Sequence, residues 1–153
     1  MITLTRATEL DVEDLLRWRN DPTARAASGS NQPVSLAEHA AWLSGVLSDD
    51  HRFLYIAHHA EDTGGSAKVG MCRFDLDADG HAEVSINLNP DYRGKGFARE
   101  VLGEGIAAFR GEIKRDVRLT ATIRPSNAAS VQIFRSAGFV LSSSDDQFSY
   151  YVL

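Results

Sequence analysis

Cysteine is nearly missing from this chain. Among 153 residues only Cys72 occurs, so no internal disulfide can form, and a cytoplasmic setting is the expectation. No run of eighteen apolar residues is present, which argues against a membrane span. The start, Met1-Ile-Thr-Leu-Thr-Arg6, has neither the basic head nor the apolar core of a signal peptide. Positive charge is also in deficit: the net charge is -5, which argues against general nucleic-acid affinity. The five histidines and one cysteine show no metal-ligand spacing, and His58 and His59, adjacent on a strand, would point to opposite faces. Neither GxxxxGK[ST] nor GxGxxG occurs, and no serine sits on a nucleophile elbow. Linkers, repeats and low-complexity tracts are lacking as well.

The remainder is an ordinary globular composition, 43% hydrophobic and 24% charged, long enough for one domain over residues 1–153 with a sizeable core. Alternating segments at 2–7, 51–59, 67–76, 81–88 and 117–123 read as strands. Helical periods follow Glu9, the capping box Ser35-Leu-Ala-Glu38, Phe97 and Asn127. Pro22 should end the first helix at Asn20-Asp21, leaving 23–34 as an irregular loop with Ser28-Gly29-Ser30-Asn31 and Pro33 as breakers. Two short strands, 139–142 and 148–152, should close the chain. The order β-α-α-β-β-β-α-β-α-β-β implies a mixed sheet with helices packed on it.

The stretch His81 to Arg110 organises the rest. Ala82, Val84, Ile86 and Leu88 alternate with His81, Glu83, Ser85 and Asn87, and Pro90 cannot continue a ladder. A basic, glycine-bearing turn, Arg93-Gly94-Lys95-Gly96, then opens a helix at Phe97-Ala98. The first amides of a helix lack partners and carry partial positive charge, and glycines let an anion approach the backbone. Strand, glycine-rich basic turn and helix together predict a phosphate or pyrophosphate site.

Arg93-x-x-Gly96-x-Ala98, with Asn127-x-x-Ser130-x-x-Ile133-Phe134-x-x-x-Gly138-Phe139 further on, resembles the paired signatures of the GNAT N-acetyltransferases. The element order is similar to that family's across essentially the whole chain. The resemblance implies a mixed α/β fold: a mostly antiparallel twisted sheet of about seven strands, flanked by four helices and splayed between strands four and five. It implies acetyl-CoA as acyl donor, its pyrophosphate on the turn and its pantetheine arm along the edge of the 81–88 strand. Cofactor positions carried over are Ile86, Leu88, Arg93, Gly94, Lys95, Gly96, Phe97, Ala98, Asn127 and Phe134. Asn127 fits a plain helix cap equally well.

The implied reaction is direct attack of a primary amine on the thioester, with a backbone N–H near Leu88 polarising the carbonyl. Glu83 is the candidate general base, with His81 as a weaker substitute, and Glu83 equally fits an exposed or paired carboxylate. Where many family members carry a tyrosine as general acid this chain has Phe134, which cannot donate a proton. Ser130 is the candidate replacement, with Tyr150 and Tyr151 as others. The stretch Leu15 to Pro22 resembles a branch acting on nucleotide-linked aminosugars and ribosomal-protein N-termini. That branch suggests an aminosugar acceptor, with Arg19 and Asn20 as acceptor contacts or, equally, as a local cap and a solvated charge. A small-molecule amine is the expected partner, with no metal, nucleic acid or membrane involved, and the last strands are a candidate homodimer surface. A non-catalytic acyl-CoA-binding module and a longer acyl donor are the competing readings.

Overall fold

In the computed structural model, which describes residues 1–28 and 31–153, alternation of apolar and polar residues becomes one sheet. Its strands are β1 (Ile2–Arg6), β2 (Arg52–Ala60), β3 (Ser66–Leu76), β4 (His81–Leu88), β5 (Arg118–Ile123), β6 (Val140–Ser144) and β7 (Ser149–Val152). The sheet has seven strands in the order β1-β2-β3-β4-β5-β7-β6. Every neighbouring pair is antiparallel except β4 and β5. That parallel pairing covers only His81–Glu83 against Arg118–Thr120. Beyond it the strands part, so the β5-facing edge of residues 84–88 has no ladder partner among the described residues.

Helices α1 (Val12–Asn20), α3 (Leu36–Leu47), α4 (Phe97–Ile113) and α5 (Ala128–Ser136) cover the two faces, and α2 (Pro22–Ala27) lies beside α1. Period two in the strands divides the core between these faces. Phe53, Tyr55, Cys72, Phe74, Ala82 and Val84 pack with Val101, Leu102 and Phe109 of α4. Leu54, Ile56 and Met71 turn the other way, toward Leu15 and Trp18 of α1 and Leu43 and Val46 of α3. Phe74 and Phe109 stack at 4.4 Å, with Phe53 edge-on to Phe109 at 5.1 Å. Among the described residues, no helix is long and apolar enough to cross a membrane.

The stretch expected as a loop from 23 onward begins instead as α2, which makes five helices among the described residues where four were expected. Pro22 does end α1, but it also sits in the first turn of α2, where its missing N–H costs nothing. Asp21 caps that turn, accepting from Thr23 N and Ala24 N. Two of the expected loop breakers, Gly29 and Ser30, lie outside the described residues.

Gly105 lets α4 approach β3 closely. A Cβ there would lie 2.7 Å from Cys72 Sγ and 3.2 Å from Cys72 Cβ. Cys72 itself is fully buried, and burial pushes its thiol up to about 12. It is a small core residue. Gly105→Ala is expected to cost about 1–3 kcal/mol through overpacking, read as a lowered thermal midpoint. Cys72→Ala in the same background should recover part of the loss. An unchanged midpoint for Gly105→Ala alone would contradict this contact.

Candidate active site

The end of β4 is fixed by Asn89, a buried side chain. Its Nδ2 donates to Lys68 O at 2.9 Å, and its Oδ1 accepts from Asp91 N at 3.0 Å and Arg17 Nη2 at 3.4 Å. These bonds tie the strand end to β3 on one side and α1 on the other. Pro90 opens one short 3-10 turn, Pro90–Tyr92. The chain then enters α4 through Gly94 and Gly96, at φ 74° and 83°.

Both conformations are ones that L side chains resist. A Cβ at either glycine would meet nothing within 4 Å, so backbone geometry and open approach, not packing, require glycine here. Gly96 caps α4 with no side-chain hydrogen bond. The first four N–H groups of the helix have no partner within it, and the helix dipole adds positive charge. Lys95 is exposed, with Nζ 5.2 Å from the Tyr92 ring centre, and Arg99 Nε donates to Ser136 Oγ at 3.2 Å. An anion at this turn would meet amides and cations together.

From the turn a cleft of about 510 Å³ runs to the split between β4 and β5, a volume in the range of ligand pockets. Ile86, Asn87 and Leu88 form one side, and Asn127, Ala129 and Ser130 of the α5 region form another. Arg93, Gly94, Gly96 and Ala98 close one end, and Thr23, Ala24 and Ala27 of α2 add a wall absent from the sequence reading. A long thin ligand bearing amides and a pyrophosphate fits this arrangement. The unpaired edge of β4 offers backbone donors and acceptors along its length, and the glycine turn offers amides at its end.

The expected site residues divide by position. Ile86, Leu88, Arg93, Gly94, Gly96, Ala98, Asn127 and Ser130 share the cleft wall. Phe97 directs its ring to Tyr92 and His59, at 5.9 and 4.8 Å, leaving its backbone to the turn. Phe134, expected beside the cofactor, is instead 3% exposed and edge-on to Phe139 at 5.0 Å, away from the wall. An aromatic ring without a polar handle gains most by burial, which is why this position joins the core. Asn127 caps α5, its Oδ1 accepting from Ser130 N at 3.2 Å.

Glu83 is exposed on the face opposite Ala82 and Val84, and is itself the last β4 residue paired with β5, opposite Thr120. Its Oε2 accepts from Thr122 Oγ1 at 3.4 Å. Tyr150 donates its hydroxyl to Asp145 Oδ2 at 2.5 Å, and that bond, burial and the charges of Asp145 and Glu83 hold its pKa above the usual phenol value. Tyr150 therefore keeps its proton, and Tyr151 is buried in the core.

Asn20, expected at the acceptor, is spent on the chain itself. Its Nδ2 donates to Val34 O at 2.8 Å and its Oδ1 accepts from Val34 N at 2.7 Å. A primary amide mimics a strand partner, so Asn20 closes the segment between α1 and α3. Arg19 lies beside buried His39, which stacks on Trp42 at 5.0 Å. Burial and the charge of Arg19 hold the His39 imidazole below its usual pKa. Neither Arg19 nor Asn20 lines the cleft. Sequence reading also passed over Asn89 and Asp21, although an Asn or Asp directly before proline is a recognisable cap signal.

The Acetyltransferase (GNAT) domain family matches residues 1–140. The chain is 29% identical over 133 residues to the L-methionine sulfoximine/L-methionine sulfone acetyltransferase of Pseudomonas paraeruginosa, covering 86% of this chain and 76% of that protein. In fold it is similar to a domain from Methanocaldococcus jannaschii, with a TM-score of 0.86, 22% identity and coverage of 100% and 97% of the two chains. It is also similar to yncA of Salmonella typhimurium with its cofactor acetyl-CoA, with a TM-score of 0.74, 21% identity and coverage of 99% and 91%. With a family match over nearly the full length, the chain belongs to the GNAT acetyltransferases, acyltransferases that move an acetyl group from acetyl-CoA to an amine.

Proposed function

We propose that residues 1–153 act as a single N-acetyltransferase domain on the primary amine of a small molecule. The observation that carries this reading is the cleft joining the β4–β5 split to the Gly94–Gly96 turn. Acetyl-CoA would supply an activated acetyl thioester. The amides from Gly94 to Ala98 hold a pyrophosphate, and the free edge of Ile86 to Leu88 takes the amides of the pantetheine arm. A backbone N–H near Leu88 stabilises the charge that develops on the carbonyl oxygen. Glu83 accepts the amine proton through water, and the hydroxyl of Ser130, on the cleft wall, serves the leaving thiolate.

For the acceptor, the stretch Leu15 to Pro22 suggests an amino group on a nucleotide-linked sugar. Its two proposed contacts, Arg19 and Asn20, lie off the cleft, so that support is weakened. A second reading, an amino-acid-derived amine, is favoured by the Pseudomonas relative, which is named for such an acceptor.

Release of free thiol from acetyl-CoA, followed with L-methionine sulfoximine, a nucleotide-linked aminosugar, spermidine and an N-terminal peptide in turn, separates these readings. Turnover with one amine class identifies the acceptor. Intact acetyl-CoA binding with no thiol release from any of them would set aside all four acceptor classes.

A further inference from the structure

The side chain of the signature arginine, on the cleft wall, is engaged by another part of the chain. Arg93 Nη1 donates to Asp21 Oδ2 at 2.5 Å, across 72 residues of sequence. The two side chains are only 29% and 18% exposed. That same oxygen caps α2, accepting from Thr23 N at 3.1 Å and Ala24 N at 3.3 Å. Three donors thus converge on one carboxylate oxygen. The Arg93 hydrogen bond does most to hold the Asp21 carboxyl below its usual pKa; burial opposes it and the cap amides assist.

Helix α2 needs such a tether. It has six residues and fully buries none of them, with Ala24 and Ala27 only half-buried. It nevertheless supplies Thr23, Ala24 and Ala27 to the cleft wall. Its far end is held by Arg124, whose Nε and Nη2 donate to Ser28 O at 3.0 and 2.8 Å. Its near end is held by Asp21, and through Asp21 by the turn that precedes α4.

We propose that Arg93 and Asp21 form a clasp: Asp21 is a positioning residue that pins α2 against the phosphate turn, and Arg93 acts through it. The anion is then gripped by backbone amides, and the wall of the cleft takes its position from the cofactor turn. This rests on the reading of the turn as a pyrophosphate site. Charge explains why Asp21 needs Arg93 as its partner. A lone carboxylate at position 21 would repel a pyrophosphate held at Gly94 and Gly96, and Arg93 neutralises it.

The clasp and a direct anion-binding role for Arg93 predict opposite results for Asp21→Asn. Asparagine still caps a helix, so this variant removes the ion pair and keeps the cap. If Arg93 were an anion ligand restrained by Asp21, the variant would bind acetyl-CoA more tightly. The clasp predicts acetyl-CoA affinity within about threefold of the parent, with amide exchange at residues 23–28 faster by about tenfold. Arg93→Gln leaves the carboxylate unpaired and should weaken acetyl-CoA binding about tenfold, with the same faster exchange. The double variant should return to within about threefold of the parent affinity, because the repelling charge is gone. Arg93→Lys should restore slow exchange in part.

The experiment is titration of acetyl-CoA into the parent and each variant, with hydrogen exchange of 23–28 measured without ligand. Tighter binding by Asp21→Asn, or parent-like exchange in it, overturns the clasp. A parent that binds no acetyl-CoA overturns the cofactor reading instead, and the exchange data still judge the tether.

Discussion

Gly96→Val is expected to weaken acetyl-CoA binding by about a hundredfold while leaving the sheet and its cores intact. Gly96 sits at φ 83° with open space around it, so the loss arises from backbone conformation and not from a packing clash. A β-branched residue in the left-handed region costs about 1–2 kcal/mol, and the turn relieves that cost by leaving the conformation that presents its amides. Hydrogen bonds to a charged group are worth about 1.5–3 kcal/mol each, so losing one or two of them amounts to roughly 3 kcal/mol, or about a hundredfold in affinity. Thermal unfolding should shift by only a few degrees, since about 1 kcal/mol moves the midpoint of a chain this size by roughly 2–4 °C. Parent-like affinity in titration calorimetry would remove the turn from the binding site.

Glu83→Gln carries the second large effect. Glutamine keeps the shape and still meets Thr122, yet cannot accept the amine proton, so turnover should fall by about 10²–10⁴-fold. Acetyl-CoA affinity should hold, because Glu83 does not line the cleft. The residue lies beside the split, at the start of its opening, and shares a face with Ser85 and Asn87, the latter on the cleft wall. About 13 Å of strand separates positions 83 and 87, so the acceptor and a water must bridge that span. Steady-state rates across the pH profile check this, and a variant matching the parent throughout would place the base elsewhere.

Local pattern revealed the core of the site. The alternation of residues 81–88, the break at Asn89-Pro90 and the glycines at 94 and 96 each act within a few residues of themselves, and the structure keeps all three. Pro22 was harder to read because one residue performs two tasks, ending α1 and starting α2. Asn20 misled for another reason, and Arg93 keeps its place on the cleft wall while its side chain takes a partner that local pattern does not show. Their side chains are polar and near the right elements, but their partners, Val34 and Asp21, come from segments that only folding brings together. Phe134 followed its hydrophobicity into the core, where the family pattern suggested a place at the cofactor. Long-range polar pairs leave no periodic trace in a sequence, and the cleft wall formed by α2 depends on them.

Calorimetric titration of the purified protein with acetyl-CoA tests the central claim most directly. The cleft and its glycine turn predict binding in the micromolar range, about -8 kcal/mol, weakened about a hundredfold by Gly96→Val. An absence of binding heat at millimolar acetyl-CoA, with the fold intact by circular dichroism, would contradict it.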